Sequence, residues 1–288
     1  MSDRRGFQGE SVAATIDAHH HLWRYSSREY GWIDETMQAL QRDFLPVDMA
    51  PELKSAGVDG TVVVQARQTL EETRWLLDLA DQTPWIRGVV GWAPIAGEEF
   101  PGVMERFDGR AKLKGLRHVI QGERDENYIL RADFNAGIAA LQGSGLVYDI
   151  LIYERHLPQT IEFVDEYPNQ VFVLDHIAKP SIAGGVLEPW ATNLRELALR
   201  RNVWCKVSGL VTEAKWQSWS LDSLRPYLDT VVDAFGADRL MAGSDWPVCL
   251  VASGYQQWFE LLRQYFASYS EAERAAIFGE TATAVYNL

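Results

Sequence analysis

The chain has 288 residues, 47% of them hydrophobic and 23% charged, a composition that excludes a disordered or fibrous protein and supplies enough apolar side chains for a full core. Its 27 basic and 40 acidic residues leave a net charge of −13, which repels phosphate backbones and anionic lipid heads and argues against nucleic-acid and membrane partners. A small neutral ligand suits that balance better, and eleven tryptophans offer flat surfaces for one as well as bulk for a core.

Residues 1–11 are polar and carry Arg4 and Arg5 with no apolar stretch behind them, so no signal peptide is expected. Nowhere does an apolar run reach the roughly 18 residues of a spanning helix. Cys205 and Cys249 lie far apart and form no CxxC pair, which fits a reducing, cytoplasmic setting. Short apolar and β-branched runs bounded by turn residues predict strands at 13–20, 59–66, 86–93, 113–120, 146–153, 170–176, 203–209 and 239–245. Their starts lie 24 to 46 residues apart, room for the loop, helix and second loop that a parallel crossover requires. Helical stripes fill the gaps at 70–81, 133–142, 156–167 and 189–200. Another runs through Leu221, Leu224, Leu228, Val231, Val232 and Phe235, with Gly236 as its stop. Eight strand–helix units without an intervening linker predict a single (β/α)8 TIM barrel spanning 1–288, with a doubly wound open sheet as the competing α/β architecture. Segment 22–45, too long for an ordinary βα loop and rich in Trp23, Tyr25, Tyr30 and Trp32, is expected to fold over the barrel mouth. Segment 270–288 predicts extra C-terminal helices packed against the barrel's outside.

In such a barrel the chemistry belongs at the C-terminal ends of the strands. His19-His20-His21 ends the first strand and holds half of the six histidines. Alternation places Asp17, His19 and His21 on one face and His20 on the other, and an inward HxH pair converges on one metal ion or one carbonyl oxygen. His176 ends the sixth strand and Asp245 the eighth. Each alone reads equally well as a cap or turn residue, but together they converge on one axis. Imidazoles and a carboxylate suit zinc or a related divalent ion, and a carboxylate beside that ion takes a proton from water.

The fragments I-D-A-H-H-H-L-W at 16–23, Y-G-W at 30–32, L-K-G-L-R-H at 113–118, D-H-I-A-K-P at 175–180, K-V-S-G at 206–209 and G-S-D-W-P at 243–247, in this order, resemble the amidohydrolase superfamily, specifically its sugar-lactone and pyrone-dicarboxylate lactonase branch. The resemblance implies a (β/α)8 barrel that hydrolyses a lactone ester, in a group with both metal-binding and metal-independent members. The fourth strand carries Gly115-Leu116-Arg117-His118 where binuclear members have a bridging lysine or glutamate, so a two-metal site is not expected. No histidine ends the fifth strand; His156 falls just beyond it, at a helix start, with no role assigned. That leaves His19, His21 and Asp245 as ligands of one divalent ion, zinc by preference, with His176 as acid, base or fourth ligand. The same groups can also act without a metal.

Among the other residues of these fragments, Arg117 either polarises the substrate or pairs with an acidic neighbour. Lys179 and Lys206 are costly to bury unless paired or functional, and substrate contact is expected of both. Tyr30, Trp32 and Trp246 either stack on a sugar face or pack in the core. Cys205 points away from Lys206 and reads as core. No GxSxG elbow, P-loop or GxGxxG occurs, which moves serine hydrolases, NTPases and dinucleotide enzymes aside. The expected reaction is hydrolysis of a neutral aldonolactone, such as L-fuconolactone or L-rhamnonolactone. The alternatives are a pyrone-dicarboxylate lactonase, a zinc-dependent decarboxylase of an aromatic or muconate-type acid, and a barrel that binds sugar without turnover.

Overall fold

Eight strands form where the spacing predicts them: β1 Ile16–His20, β2 Gly60–Val64, β3 Ile86–Gly91, β4 Leu113–Val119, β5 Val147–Leu151, β6 Phe172–Leu174, β7 Val203–Val207 and β8 Leu240–Ala242. In the computed structural model, which describes residues 13–288, each strand pairs in parallel with the next. The sheet closes where His20 bridges Trp246 and where Asp245 N donates to His19 O at 2.8 Å. This is a (β/α)8 TIM barrel and not an open sheet. Residues 1–12, for which no leader is expected, lie outside the described residues. No helix among the described residues is long and apolar enough to cross a membrane.

The outer ring consists of α1 Pro46–Ala56, α2 Leu70–Gln82, α3 Phe100–Glu105, α4 Ala132–Leu141, α5 Leu157–Glu166, α6 Trp190–Ala198, a short α7 Leu210–Glu213, α8 Leu221–Phe235 and α9 Tyr255–Tyr265. Local chemistry sets their ends. Ser220 accepts from Ser223 N to start α8, and Gly236, at φ 72°, ends it. Along that helix Leu224, Leu228, Val231 and Phe235 are buried against the sheet, each worth about 1.5–3 kcal/mol of removed apolar surface. Inside the barrel a separate cluster gathers Ile16, Ala18, Val62, Val64, Val90, Val147, Val173 and Met241, so the lower lumen is packed and the polar residues are left to the upper end.

Two features depart from the sequence reading. On β1, Ile16 pairs with Gly60 and Asp17 with Thr61, but His20 pairs with Val63, three steps on one strand against two on the other. This β-bulge resets the alternation. Asp17 points outward, where Ser244 Oγ (2.6 Å), Ser244 N (2.8 Å) and Tyr255 OH (3.1 Å) donate to it. With the alternation reset, His19 and His21 both face the axis, while His20 turns out to Thr61 Oγ1 at 2.8 Å. Asp17 therefore does not share the face of His19 and His21.

The second departure is the tail. Residues 270–288 do form helices, α10 Glu271–Ala275, a π-helical turn Ala276–Glu280 and α11 Thr281–Tyr286, but these do not coat the outside. They plug the N-terminal end of the barrel. Ala282 and Tyr286 join the inner cluster, and a Cβ on Gly279 would sit 1.9 Å from the Ala14 carbonyl oxygen. Gly88 likewise leaves room for Leu288, whose Cδ2 would lie 2.9 Å from a Cβ there. A glycine on the barrel, Gly88, and one in the plug, Gly279, thus permit the close approach.

Candidate active site

Above the apolar lumen the inward positions change character. Register places Arg117 of β4 beside Asp149 of β5, and Lys206 projects inward from β7. Lys206 Nζ lies 2.5 Å from Asp149 Oδ2, 3.0 Å from Asp175 Oδ1 and 3.2 Å from His19 Nδ1. Arg117 donates to Asp175 Oδ2 at 2.8 Å and to the Gln65 carbonyl. Tyr286 OH reaches Asp149 Oδ1 at 2.8 Å from below. All of these side chains are buried, so each charge is compensated by a partner, as burial requires. Burial would raise the Asp175 carboxyl, but Lys206, His19 and Arg117 outweigh it and hold it well below its ordinary value.

The catalytic candidates stand on this platform. His21 Nδ1 lies 2.8 Å from the Val64 carbonyl, so that nitrogen carries the proton and Nε2 turns its lone pair inward. His176 Nδ1 is 2.8 Å from Ser208 Oγ. The three Nε2 atoms surround Asp245 Oδ1, at 3.2 Å for His21, 3.8 Å for His19 and 3.9 Å for His176, and His19 and His21 Nε2 are 3.2 Å apart. Donors about 2.1 Å from a shared tetrahedral centre are about 3.4 Å from one another, so this set fits one small divalent cation. His19, Asp175 and His176 form a second, overlapping group of metal-capable donors. Burial pushes His19 well down and His176 to about 4, which leaves both as neutral imidazoles. Burial would raise Asp245, but His176, His21 and His19 overcome it and keep the group a carboxylate.

Backbone geometry aims these groups. His176, Ile177, Ala178 and Lys179 run at φ 53°, 51°, 62° and 48°, and Asp245 at φ 57°. Non-glycine residues in this left-handed region cost about 1–2 kcal/mol each. The turn after β6 abandons strand alternation, so the consecutive Asp175 and His176 both face the axis. Trp190 Nε1 holds it by donating to the Ile177 carbonyl at 2.7 Å. Gly209, at φ 70°, lies so close that a Cβ would come within 2.6 Å of His176 Nδ1.

A cavity of about 800 Å³ opens above, with His21, Arg117, His176 and Asp245 at its floor. Trp32 and Met37 of segment 22–45 form one wall, and Tyr153, Lys179, Glu213 and Trp216 contribute to its lining. Of the residues expected in the site, Trp32, Arg117 and Lys179 line the cavity with the catalytic candidates, and His19 lies just beneath. Three others do not line it. Lys206 is held in the buried platform. Tyr30 donates to Glu72 Oε1 at 3.4 Å and packs on Trp23, while Trp246 packs edge-on against Phe44. Of the two readings open for Tyr30 and Trp246, core packing is the one seen, and Lys206 serves as counter-charge rather than substrate contact. His156 is buried, accepts from Tyr153 N at 3.2 Å and stays out of the cavity. Cys205 is core, its thiol pushed up by burial. Sequence reasoning missed Asp149, Asp175, Ser208, Glu213 and Trp216. Asp175 and Ser208 sit inside D-H-I-A-K-P and K-V-S-G, next to residues already singled out. Glu213 and Trp216 carry no periodic or motif signal.

The amidohydrolase family model matches residues 16–288. The chain is 40% identical over 287 residues to an L-fucono-1,5-lactonase of Burkholderia multivorans, covering 96% of this chain and 97% of that one. It is 39% identical over 277 residues to an L-fucono-1,5-lactonase of Burkholderia ambifaria, covering 95% of each. Among solved structures, an amidohydrolase from Burkholderia multivorans with bound zinc superposes with a TM-score of 0.92 at 41% identity, covering 96% of this chain and 100% of that one. Barrel, strand-end histidines and aspartate, and a family match spanning the described barrel lead to one assignment: the chain belongs to the amidohydrolase family.

Proposed function

We propose that this protein is a lactonase that opens the ester of a neutral sugar lactone, an aldonolactone such as L-fucono-1,5-lactone or an L-rhamnonolactone, by attack of water. The observation that carries the reading is an ionised Asp245 ringed by the imidazoles of His19, His21 and His176 at the floor of a cavity, in a chain 40% identical to an L-fucono-1,5-lactonase. One divalent ion, zinc by preference, would be held by His19, His21 and Asp245, with His176 as a fourth donor or proton carrier. When bound, it supplies a Lewis acid for a carbonyl oxygen.

The chain's own groups account for the proton movements. Asp245 takes a proton from water as the water oxygen bonds to the lactone carbonyl carbon. Arg117, fixed by Asp175 and the Gln65 carbonyl, presents a preorganised guanidinium as negative charge gathers on the carbonyl oxygen. The carbon–oxygen bond of the ring then breaks, and the proton passes from Asp245, directly or through His176, to the departing ring oxygen. The product is an open aldonate. Trp32 supplies a flat apolar wall for the sugar's C–H face, and Lys179 a polar contact. Tyr30, Trp246 and Lys206 act from behind, by packing and by holding His19.

Charge balance favours a neutral substrate over a pyrone dicarboxylate. Each cationic side chain lining the cavity already faces a carboxylate: Arg67 with Glu29, Arg117 with Asp175, Lys179 with Glu213. The two buried, unpaired cysteines suit a reducing, cytoplasmic setting, and one barrel domain carries the whole activity. A pH-indicator assay across a panel of aldonolactones tests the reading, because ring opening releases acid whereas decarboxylation consumes it. Acid release is expected. Proton uptake with aromatic or muconate-type acids and none released from lactones would overturn it in favour of the decarboxylase, and lactone binding without turnover in favour of a binding protein.

A further inference from the structure

Lys179 and Glu213 stand out within the cavity because their opposite charges face each other without closing a direct hydrogen bond. Their side chains are only 15% and 23% exposed, and Lys179 Nζ lies 3.7 Å from Glu213 Oε1, beyond hydrogen-bond reach. Among the described residues neither the Glu213 carboxylate nor Lys179 Nζ has a partner at hydrogen-bond distance, and Lys179 Nζ lies 5.8 Å from the Tyr153 ring centroid. Burial pushes the Glu213 carboxyl upward against the opposing pull of Lys179. Such groups are costly to desolvate unless a ligand completes their hydrogen bonding.

Both residues are rigidly presented. Lys179 ends the left-handed turn that begins at His176. Glu213 ends α7, which Gly209 starts, and its carbonyl accepts from Ala183 N at 2.9 Å. Trp216, whose Nε1 donates to Thr212 O at 2.9 Å, lines the cavity beside them.

The chemistry of the pair selects its ligand. A carboxylate on the substrate gains from Lys179 but is repelled by Glu213, and an ammonium meets the reverse. A hydroxyl satisfies both, because it donates to Glu213 while accepting from Lys179, and two adjacent hydroxyls fill both carboxylate oxygens. From this geometry we infer that Glu213, paired with Lys179, is the specificity-determining acceptor for substrate ring hydroxyls and the group that turns away ring carboxylates. The inference rests on the lactonase reading of the same cavity.

The test is calorimetric and needs no turnover. Three δ-lactams, stable nitrogen analogues of δ-lactones, serve as probes: a polyhydroxylated ring, plain δ-valerolactam, and a ring bearing one carboxylate. The wild-type protein is expected to prefer the polyhydroxylated ring over the plain one by about 100-fold, and Glu213→Gln and Lys179→Met each to reduce that ratio about tenfold. The carboxylated ring separates the two variants, gaining about tenfold for Glu213→Gln, where the repelling charge is gone, and losing affinity for Lys179→Met. A wild-type ratio near one, or variant ratios within threefold of wild type, would overturn the inference. So would a parallel shift of all three probes, the mark of a merely structural pair. Lactone turnover measured on the same wild-type preparation judges the lactonase reading separately, since its absence would remove that reading while the lactam ratios still decide the role of Glu213.

Discussion

Asp245 combines a strained backbone, a buried carboxylate and three imidazole neighbours, and each property bears on its chemistry. Its N–H is tied to His19 O and its carbonyl accepts from Cys249 N at 2.9 Å, so an isosteric change leaves the turn in place. Asp245→Asn is therefore expected to fold as wild type and to lose at least on the order of 10²-fold in kcat, because an amide cannot accept the water proton. Retention of more than half the activity in a well-folded variant would reduce Asp245 to a turn residue. Glu72 offers a separate pH test. Its Oε2 accepts from Ala66 N and Arg67 N at 2.9 and 2.6 Å, yet burial pushes its pKa from 4.5 to about 7. A carboxyl whose pKa is raised on folding contributes stability that is complete below pH 4.5 and is lost as pH rises through 7. Wild type should lose on the order of 3 kcal/mol by this route. Glu72→Gln keeps one oxygen for both N–H groups and removes the titration, so the difference in unfolding free energy between the two proteins should shift in the variant's favour from pH 4.5 to pH 8. Parallel denaturation curves at every pH would show that Glu72 does not titrate there.

At the scale of elements, the β1 bulge and the turn after β6 decide which side chains meet. His19→Ala and His21→Ala should each abolish bound metal, read by elemental analysis of purified protein. His20→Ala should keep its metal and its turnover and lose about 1–3 kcal/mol, since Thr61 is left without its buried partner. Loss of metal in His20→Ala alone would mean that the register is off by one. Gly209→Ala probes the junction of β7 and α7: the left-handed φ costs about 1–2 kcal/mol, and the new Cβ displaces His176. A fall in kcat beyond the fall in stability, in protein shown to be folded by its melting curve, is the expected signature. An unchanged kcat would remove His176 from the proton path. These local features explain what was legible from sequence and what was not. Strands and helices repeat a pattern over many residues, so all eight strands and the α8 stripe with its Gly236 stop are evident from periodicity. A one-residue bulge leaves no periodic trace, which is why Asp17 reads as a neighbour of His19 until pairing is known. The HxH pair survives the slip because the irregularity between Asp17 and His20 leaves His19 and His21 on one face, and His176 and Asp245, beyond β6 and β8, are untouched by it. For Tyr30, Trp246 and Lys206 the sequence leaves stacking or substrate contact and packing or pairing open, because an aromatic or basic residue beside a motif looks the same whether it faces ligand, core or a buried carboxylate. The structure places them in packing and pairing.

Across the whole molecule, a chain of polar contacts links the plugged end of the barrel to the active end. It runs from Tyr286 OH to Asp149, through Lys206 to Asp175 and His19, and on to Arg117. The tail's amphipathic pattern predicts helices but not which end of the barrel they meet, because that depends on close approaches such as Gly88 to Leu288 and Gly279 to Ala14, which no periodicity announces. Tyr286→Phe separates support of the platform from participation in the reaction. Removing the hydroxyl leaves Asp149 Oδ1 buried without a donor, and burial already raises that carboxyl against the pull of Lys206. A loss of about 1–3 kcal/mol in unfolding free energy is expected. Lys206 keeps both of its carboxylates and His19 keeps its backbone tie to Asp245, so kcat should stay within threefold of wild type. Tyr286→Ala also removes the ring from the inner cluster and should cost about 3–5 kcal/mol. If Tyr286→Phe lowered kcat tenfold or more at unchanged stability, the platform would be coupled to the reaction and not merely holding its parts, and the same change would then appear as weakened metal binding at His19.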